Sequence, residues 1–452
     1  MVVKKSTYVL FAVIFVQSLI AQQTIQTLIE QAQPGDTVIV DGGRYCEDIV
    51  IAKSIHLIGK QSPVIYGTGK GSIVTILAPW CTVSGFVIEH SGNMLVNEDA
   101  GILLKSDHNT IRDNRLSDIL FGIYLMQSDS NIIAFNKVTG RSTLDQGERG
   151  SGIHLWNSNY NMLEHNTISE TRDGFYIQNA NHTLIQDNEV YHLRYGLHYM
   201  YADSNTFLRN TFRDNIAGAA IMFTRGIVMK HNVFLRNRGF SSYGMLLQDC
   251  HYSIADSNIF SDNVTGIFFE SSTNNLFRNN IVARNDLALM MFQNAIHNTF
   301  TENNFIDNLN PLTIVGRRTE SLWSLNGRGN YWSSYDGYDI DNNGIGDVPM
   351  KVENVFSYLE GKNANVRLYL YSPASQALAV SAKAFPILDI SGERDEYPLM
   401  EPVPLKWFTT IMSDDGKRAT KPTTASFIPW LMPIVISIVI VFVLRIRKKK
   451  LL

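Results

Sequence analysis

Between residues 22 and 310 the apolar positions of this chain fall in pieces of three to five residues, alternating with polar ones and separated by Asn, Asp, Ser and Gly. Pieces this short, β-branched and aromatic, are strands; an amphipathic helix needs ten or more residues in period. The pieces recur. Gly122 is followed fourteen residues later by Asn136, and the same spacing links Gly152 to Asn166, Gly174 to Asn188, Gly196 to Asn210, Gly218 to Asn232, Gly244 to Asn258 and Gly266 to Asn280; Gly101 leads to Asn114 one residue sooner. Asn304 closes the series. Successive Asn positions step by 22 residues from 114 to 136, 166 to 188, 188 to 210, 210 to 232 and 258 to 280. A fixed period of that size built from strands predicts an all-β solenoid, a right-handed parallel β-helix with one rung per repeat. About nine rungs at the ~4.8 Å strand spacing give a rod of roughly 40 Å, before the less regular N-terminal coils are added. The Asn is expected to take a left-handed backbone at a bend and to bond its amide to the Asn of the next rung.

Alternation assigns the faces. In the strand after each Gly, the first and third residues, such as Ile123 and Leu125 or Phe175 and Ile177, should point inward. The outward positions then read Tyr124 and Met126, His154 and Trp156, Tyr176 and Gln178, His198 and Met200, Ala220 and Met222, Leu246 and Gln248, Phe268 and Glu270. Two insertions, Arg141 to Gly150 and Arg238 to Tyr243, enter this same strand.

Strand edges at both ends of a rod need covering. Thr24 to Gln33 carries Ile25, Leu28, Ile29 and Ala32 on one helical face and stops at Pro34-Gly35, which predicts an N-terminal cap helix. Residues 311–405 are expected to form a C-terminal capping module, followed by a linker at 406–426. Residues 1–21 have the layout of a signal peptide, basic and then apolar up to Ala21. Phe427 to Ile446 is apolar over a membrane-spanning length, and the basic tail 447–452 behind it predicts a single-pass anchor with the rod on the outer, periplasmic face of the inner membrane.

With 45% apolar and 18% charged residues, disorder is excluded. A formal charge of −3 with scattered Lys and Arg gives no footprint for nucleic acid. Cys46, Cys81 and Cys250 permit at most one disulfide and have no metal-ligand spacing; Cys46 and Cys81 read as small core residues.

An outward face so rich in aromatic and thioether side chains has three readings. It is a partner-binding surface through Tyr124, Met126, His154, Trp156, Tyr176, His198, Met200 and Met222, or core under a loop, or a transient copper site in which His198, Met200 and Met222 supply soft ligands from adjacent rungs. A second constellation, Asp339, Asp341, Asn343 and Asp347 around Gly344, alternates oxygens as a calcium loop does, and equally as a bare Asx turn does. Met350 stands where a calcium loop has its closing Glu. A carbohydrate-binding or uronate-polymer-active β-helix, a polysaccharide lyase in the first instance, is the rival class. It would show acidic calcium ligands and a basic side chain on one outward strand face, and the stripe carries neither; Arg194 and Arg225 stand isolated.

Beyond the repeat, GDTVIVDGGRYCEDIVI from Gly35, LRYGLHYMYADSNTF from Leu193, GNYWSSYDGYDIDNNGIGDVP from Gly329, LYLYSPASQALAVSAKAFP from Leu368 and the ending Asp395, Glu396, YPLM resemble the β-helix proteins of the NosD family, nearly to Pro402. That resemblance implies a non-enzymatic extracytoplasmic scaffold that works with the ATPase and permease subunits of an ABC transporter. Its task would be copper-centre assembly in nitrous oxide reductase, alongside a copper chaperone lipoprotein at the membrane. The apolar segment 427–446 and Cys250-His251 depart from the family pattern as we read it.

Overall fold

The computed structural model describes residues 23–316, 319–353, 355–369, 372–373, 377–378 and 392–404. The signal peptide, linker, membrane-spanning segment and basic tail expected from the sequence lie outside the described residues. Among the described residues no helix is long and apolar enough to cross a membrane.

Each turn of chain lays one short strand in each of three parallel sheets before climbing to the next rung. Sheet A has twelve strands, sheet B thirteen and sheet C twelve, and every pairing along each stack is parallel. This is an all-β parallel solenoid of the right-handed type. Residues 22 or so apart fall in register; for example, Phe175 pairs with Leu197 and Leu197 with Ala219. The inward positions read from alternation are all buried, among them Ile123, Leu125, Phe175, Ile177, Tyr199 and Leu247. They line one continuous apolar core running the length of the rod. Strands Asn310–Val315 in sheet C and Tyr331–Trp332 in sheet B carry the solenoid past residue 310.

The Asn ladder exists, with two corrections. In each rung the backbone N–H and Nδ2 of Asn donate to Oδ1 of the next, through Asn114, Asn136, Asn166, Asn188, Asn210, Asn232, Asn258, Asn280, Asn303 and Asn330. The rung residue near the end is therefore Asn303, while Asn304 begins a strand and bonds the backbone of Val403. The left-handed residue is not the Asn but the one before it: Phe135 at φ +56°, His165 at +53°, Asp187 at +54°, Arg209 at +53°. Turning the chain one residue early aims both donors of the Asn along the rod. Each such non-glycine turn costs about 1–2 kcal/mol, which the buried amide bonds offset. Two further ladders run at the other corners, one containing Asn109, Asn131 and Asn161, the other Asn215, Asn237, Asn263, Asn285 and Asn308.

The recurrent glycines mark close approach. A methyl group at Gly244 would fall 2.6 Å from the carbonyl oxygen of Gly266 and 2.9 Å from Nδ2 of Asn263. In the rung without a glycine, buried Ala288 stands at the position in register with Gly266.

Both ends are closed. Helix α1, Ile25–Gln31, is capped by Thr24 and buries Ile25 and Ile29. The Glu47 carboxylate accepts its first two N–H groups (2.8 and 3.0 Å), and Lys53 Nζ donates to the carbonyls of Glu30 and Ala32 at its other end (2.6 and 2.9 Å), each charge complementing the helix dipole. At the far end Trp323 stacks on Phe300 and Trp332 on Phe305. Buried Glu393 accepts from the Thr319 N–H and Trp323 Nε1. Helix α2, Val355–Lys362, packs on Asn310–Val315, where Glu360 accepts from Thr313 Oγ1 (2.8 Å) and Asn310 Nδ2 (3.0 Å).

Cys46 is exposed, not a core residue; Cys81 and Cys250 are buried, and all three are free thiols.

Candidate functional site: the outward face of sheet C

Two columns of outward side chains run along sheet C. Register places Tyr124, His154, Tyr176, His198 and Ala220 in one, and Met126, Trp156, Gln178, Met200, Met222 and Gln248 in the other.

The N-terminal part of the face is covered. Tyr124 is buried with Ala100, Leu120 and Phe121, and Leu103, Met126, Leu144 and Trp156 pack around that cluster. Leu144 belongs to the 141–150 insertion, which two arginines staple down. Arg141, whose side chain is 8% exposed, reaches Asp118, Asn93 and the Ser91 carbonyl, and Arg149 reaches the carbonyls of Leu144 and Ser142. The Tyr124 phenol is pushed up by burial and by its hydrogen bond with Glu98. Tyr124 is thus core under a loop, with Met126 and Trp156 partly buried against it.

His154 is buried between Tyr124 and Tyr176, with ring centroids 4.4 and 4.5 Å away, and its Nδ1 has no hydrogen-bond partner. Burial lowers its pKa to about 3, with Asp173 acting in the opposite sense, so the ring is neutral at ordinary pH.

Two rungs on, the same column position is bound quite differently. His198 Nδ1 donates to Oδ2 of Asp173 (3.1 Å). Arg194 holds the same carboxylate with two bonds, Nε to Oδ1 at 2.8 Å and a terminal nitrogen to Oδ2 at 2.5 Å, and its guanidinium lies over the Tyr195 ring. Arg194, read from the sequence as isolated, is thus the half-buried partner of a buried carboxylate. Burial alone would raise the Asp173 carboxyl; the bonds from His198 and Arg194 outweigh it, and the net shift is downward. The sequence reading missed Asp173 because strands were counted from the residue after each Gly, and Asp173 is the residue before Gly174.

Met200 and Met222 are direct register partners, roughly 4.8 Å apart at the backbone, and both are partly exposed. His198 stands two residues before Met200, opposite the small side chain of Ala220. An imidazole with two thioethers is a soft donor set suited to a cuprous ion.

Just beyond Met222, at the next corner, Asp203, Phe223, Thr224, Arg225, Asp249 and His251 line an open pocket of about 280 Å³. The sequence reading had no signal for it. His251 is tied at both nitrogens, to Thr273 Oγ1 (2.9 Å) and Asp249 Oδ1 (3.1 Å). Burial holds the neighbouring Cys250 thiol well above its ordinary value, which keeps it a protonated core group.

In the acidic loop, Asp339 accepts from the N–H groups of Asn343 and Gly344, Asp341 from the Asn343 side chain, Asp347 from the Ile340 N–H, and Asn343 Oδ1 from the Ile345 N–H. The side-chain oxygens serve the loop's own amides, which is the Asx-turn arrangement. Among the described residues no group of three His, Cys, Asp or Glu side chains is placed to hold a metal ion.

Fold and face together define a solenoid scaffold with one differentiated side and closed ends. A family model described as periplasmic copper-binding protein (NosD) matches residues 60–143 and 135–337. The chain is 33% identical over 374 residues to a probable ABC transporter binding protein NosD of Pseudomonas aeruginosa, an alignment spanning 79% of this chain and 86% of that one. It is 30% identical over 398 residues to the protein of the same description from Stutzerimonas stutzeri, spanning 84% and 90%. The chain belongs to the NosD family. Among solved structures, the A-module of the mannuronan C-5 epimerase AlgE6 of Azotobacter vinelandii superposes with a TM-score of 0.57 at 12% identity, over 68% of this chain and 94% of that one, a likeness of fold alone.

Proposed function

We propose that this chain is an extracytoplasmic scaffold working with an ABC transporter in assembling the copper centres of nitrous oxide reductase, with cuprous copper as cargo at His198, Met200 and Met222. The observation that carries the copper reading is the register of Met200 on Met222 with His198 two residues away, on a face that stays partly open. Family membership supports the rest: the family is described as periplasmic and copper-binding, and the relatives are named for an ABC transporter. Three soft ligands suffice for cuprous ion, and a site this shallow can release it onward. In this reading the ATPase and permease subunits, a copper chaperone lipoprotein and the reductase are the partners. Segment 427–446 is then the anchor that keeps the rod at the periplasmic face of the inner membrane.

The partner-surface reading is favoured by a separate observation. Tyr176, His198, Met200 and Met222 are partly exposed beside the buried Tyr124 and His154, so a docking protein would meet their edges rather than the whole column. Cuprous titration of wild type and the Met200→Ala, Met222→Ala double variant against a competing chelator decides between the two. Tighter binding by wild type supports the copper site, and equal affinities leave the docking surface in its place. Release of unsaturated product from uronate polymers by the purified chain would overturn both in favour of a carbohydrate-active β-helix.

A further inference from the structure

A carboxylate at position 173 is not something the fold asks for. Along sheet C its register partners in other rungs are Tyr195 and Ala217, and the corresponding strand-opening residues elsewhere are Ala100, Phe121, Tyr243, Thr265 and Leu287. In these rungs, and at Asn310 beyond Leu287, the position holds an uncharged side chain. At one rung the rod instead buries an Asp whose side chain is 2% exposed and gives it an arginine with two hydrogen bonds. A buried ion pair is seldom worth more than the apolar residues it displaces, so its presence calls for a purpose other than stability.

The third bond supplies one. Nδ1 of His198 lies 3.1 Å from Oδ2 of Asp173, which only accepts, and 3.4 Å from a terminal nitrogen of Arg194, which only donates; the shorter contact with the ionised carboxylate favours the proton on Nδ1 and leaves Nε2 as the nitrogen with the lone pair. The ring is also held edge-on against Tyr176 and Tyr195, with centroids 4.7 and 5.3 Å away and interplanar angles of 81° and 80°. His154 is the internal contrast. Two rungs earlier in the same column its Nδ1 has no hydrogen-bond partner.

We propose that Asp173, braced by Arg194, is a positioning residue that holds His198 as the Nδ1–H tautomer and presents Nε2 to a cuprous ion beside Met200 and Met222. The inference rests on the copper reading of that face. A carboxylate behind a ligating imidazole orients the ring and raises its basicity, and losing such a partner typically weakens metal binding by about 10–100-fold.

The test uses the full chain labelled with 15N-histidine. Without copper, wild type should show the His198 ring nitrogens in the Nδ1–H pattern. Asp173→Asn, and the paired Asp173→Leu, Arg194→Met that removes both charges and so keeps the rung packed, should show a tautomer mixture. Titration with cuprous ion against a competing chelator should then give affinities about tenfold or more below wild type for both, with unchanged melting temperature for the paired variant. Wild-type affinity and an unchanged Nδ1–H pattern in those variants, while Met200→Ala with Met222→Ala binds weakly, would overturn the positioning role and leave the copper site standing. Equal affinities for wild type and the double methionine variant would overturn the copper site, and this proposal with it.

Discussion

Asn330 donates through both its backbone N–H (2.7 Å) and its side-chain amide (3.2 Å) to Oδ2 of Asp395, 65 residues further along the chain. The same oxygen accepts from Trp332 Nε1 at 3.0 Å. Every earlier rung hands its two donors to the next Asn, so the last needs an acceptor from elsewhere, and a carboxylate is the side chain with most lone pairs to offer. Asp395→Ala should therefore cost about 3 kcal/mol or more, since up to three buried donors lose their partner at ~1–3 kcal/mol each. Asp395→Asn, which keeps one acceptor oxygen, should cost less. Denaturant midpoints of the two variants against wild type check the order.

Gly244→Ala should destabilise the rod by about 3 kcal/mol, because the new methyl meets a backbone oxygen and a ladder amide that have nowhere to move. Gly147→Ala, in the open part of the 141–150 insertion with no atom within 4 Å, should leave the denaturation midpoint unchanged. Thermal melts of the pair make the comparison.

Cap stability should depend on pH through Glu353. Burial, and then the neighbouring Glu393 carboxylate, raise its pKa to about 7. A raised carboxyl favours the folded state while protonated. Its contribution is thus full below the ordinary Glu value of about 4.3 and is lost as pH rises toward 7. Amide exchange around residues 319–353 should be slower at pH 5 than at pH 8, after correction for intrinsic rates, and Glu353→Gln should remove most of the difference.

Thiol reactivity should separate the three cysteines. Cys46 is exposed, whereas burial pushes both Cys81 and Cys250 upward. One equivalent of iodoacetamide should be taken up by the native chain, at Cys46, and the other two only after unfolding, as counted by mass spectrometry of the peptides.

The rod was legible because its signal is periodic. Gly174 and Asn188 recur as Gly196 and Asn210, and alternation alone put Phe175 inside and Tyr176 outside. The turn geometry was less so. Asn tolerates a left-handed backbone, yet the structure gives that conformation to whatever precedes it, including Phe135 and Arg209, because the ladder bonds depend on where the Asn points and not on its neighbour's identity. The site was half legible. His198, Met200 and Met222 follow from strand alternation, but Asp173 opens its strand and Arg194 immediately precedes one, positions that carry no periodic signal. Asp395 was unreadable as a ladder terminus, because its role depends on a contact across 65 residues.

The one-way run of amide donors also bears on how such a rod changes over generations. Each interior rung receives the same two hydrogens from its predecessor and passes the same two to its successor. A duplicated or deleted 22-residue unit would leave both neighbours' bonding unchanged, while helix α1 and Asp395 see no difference at either terminus. Length is therefore inherited separately from closure, and a lineage can lengthen or shorten the reach of the face carrying His198 without reinventing how the molecule begins or stops.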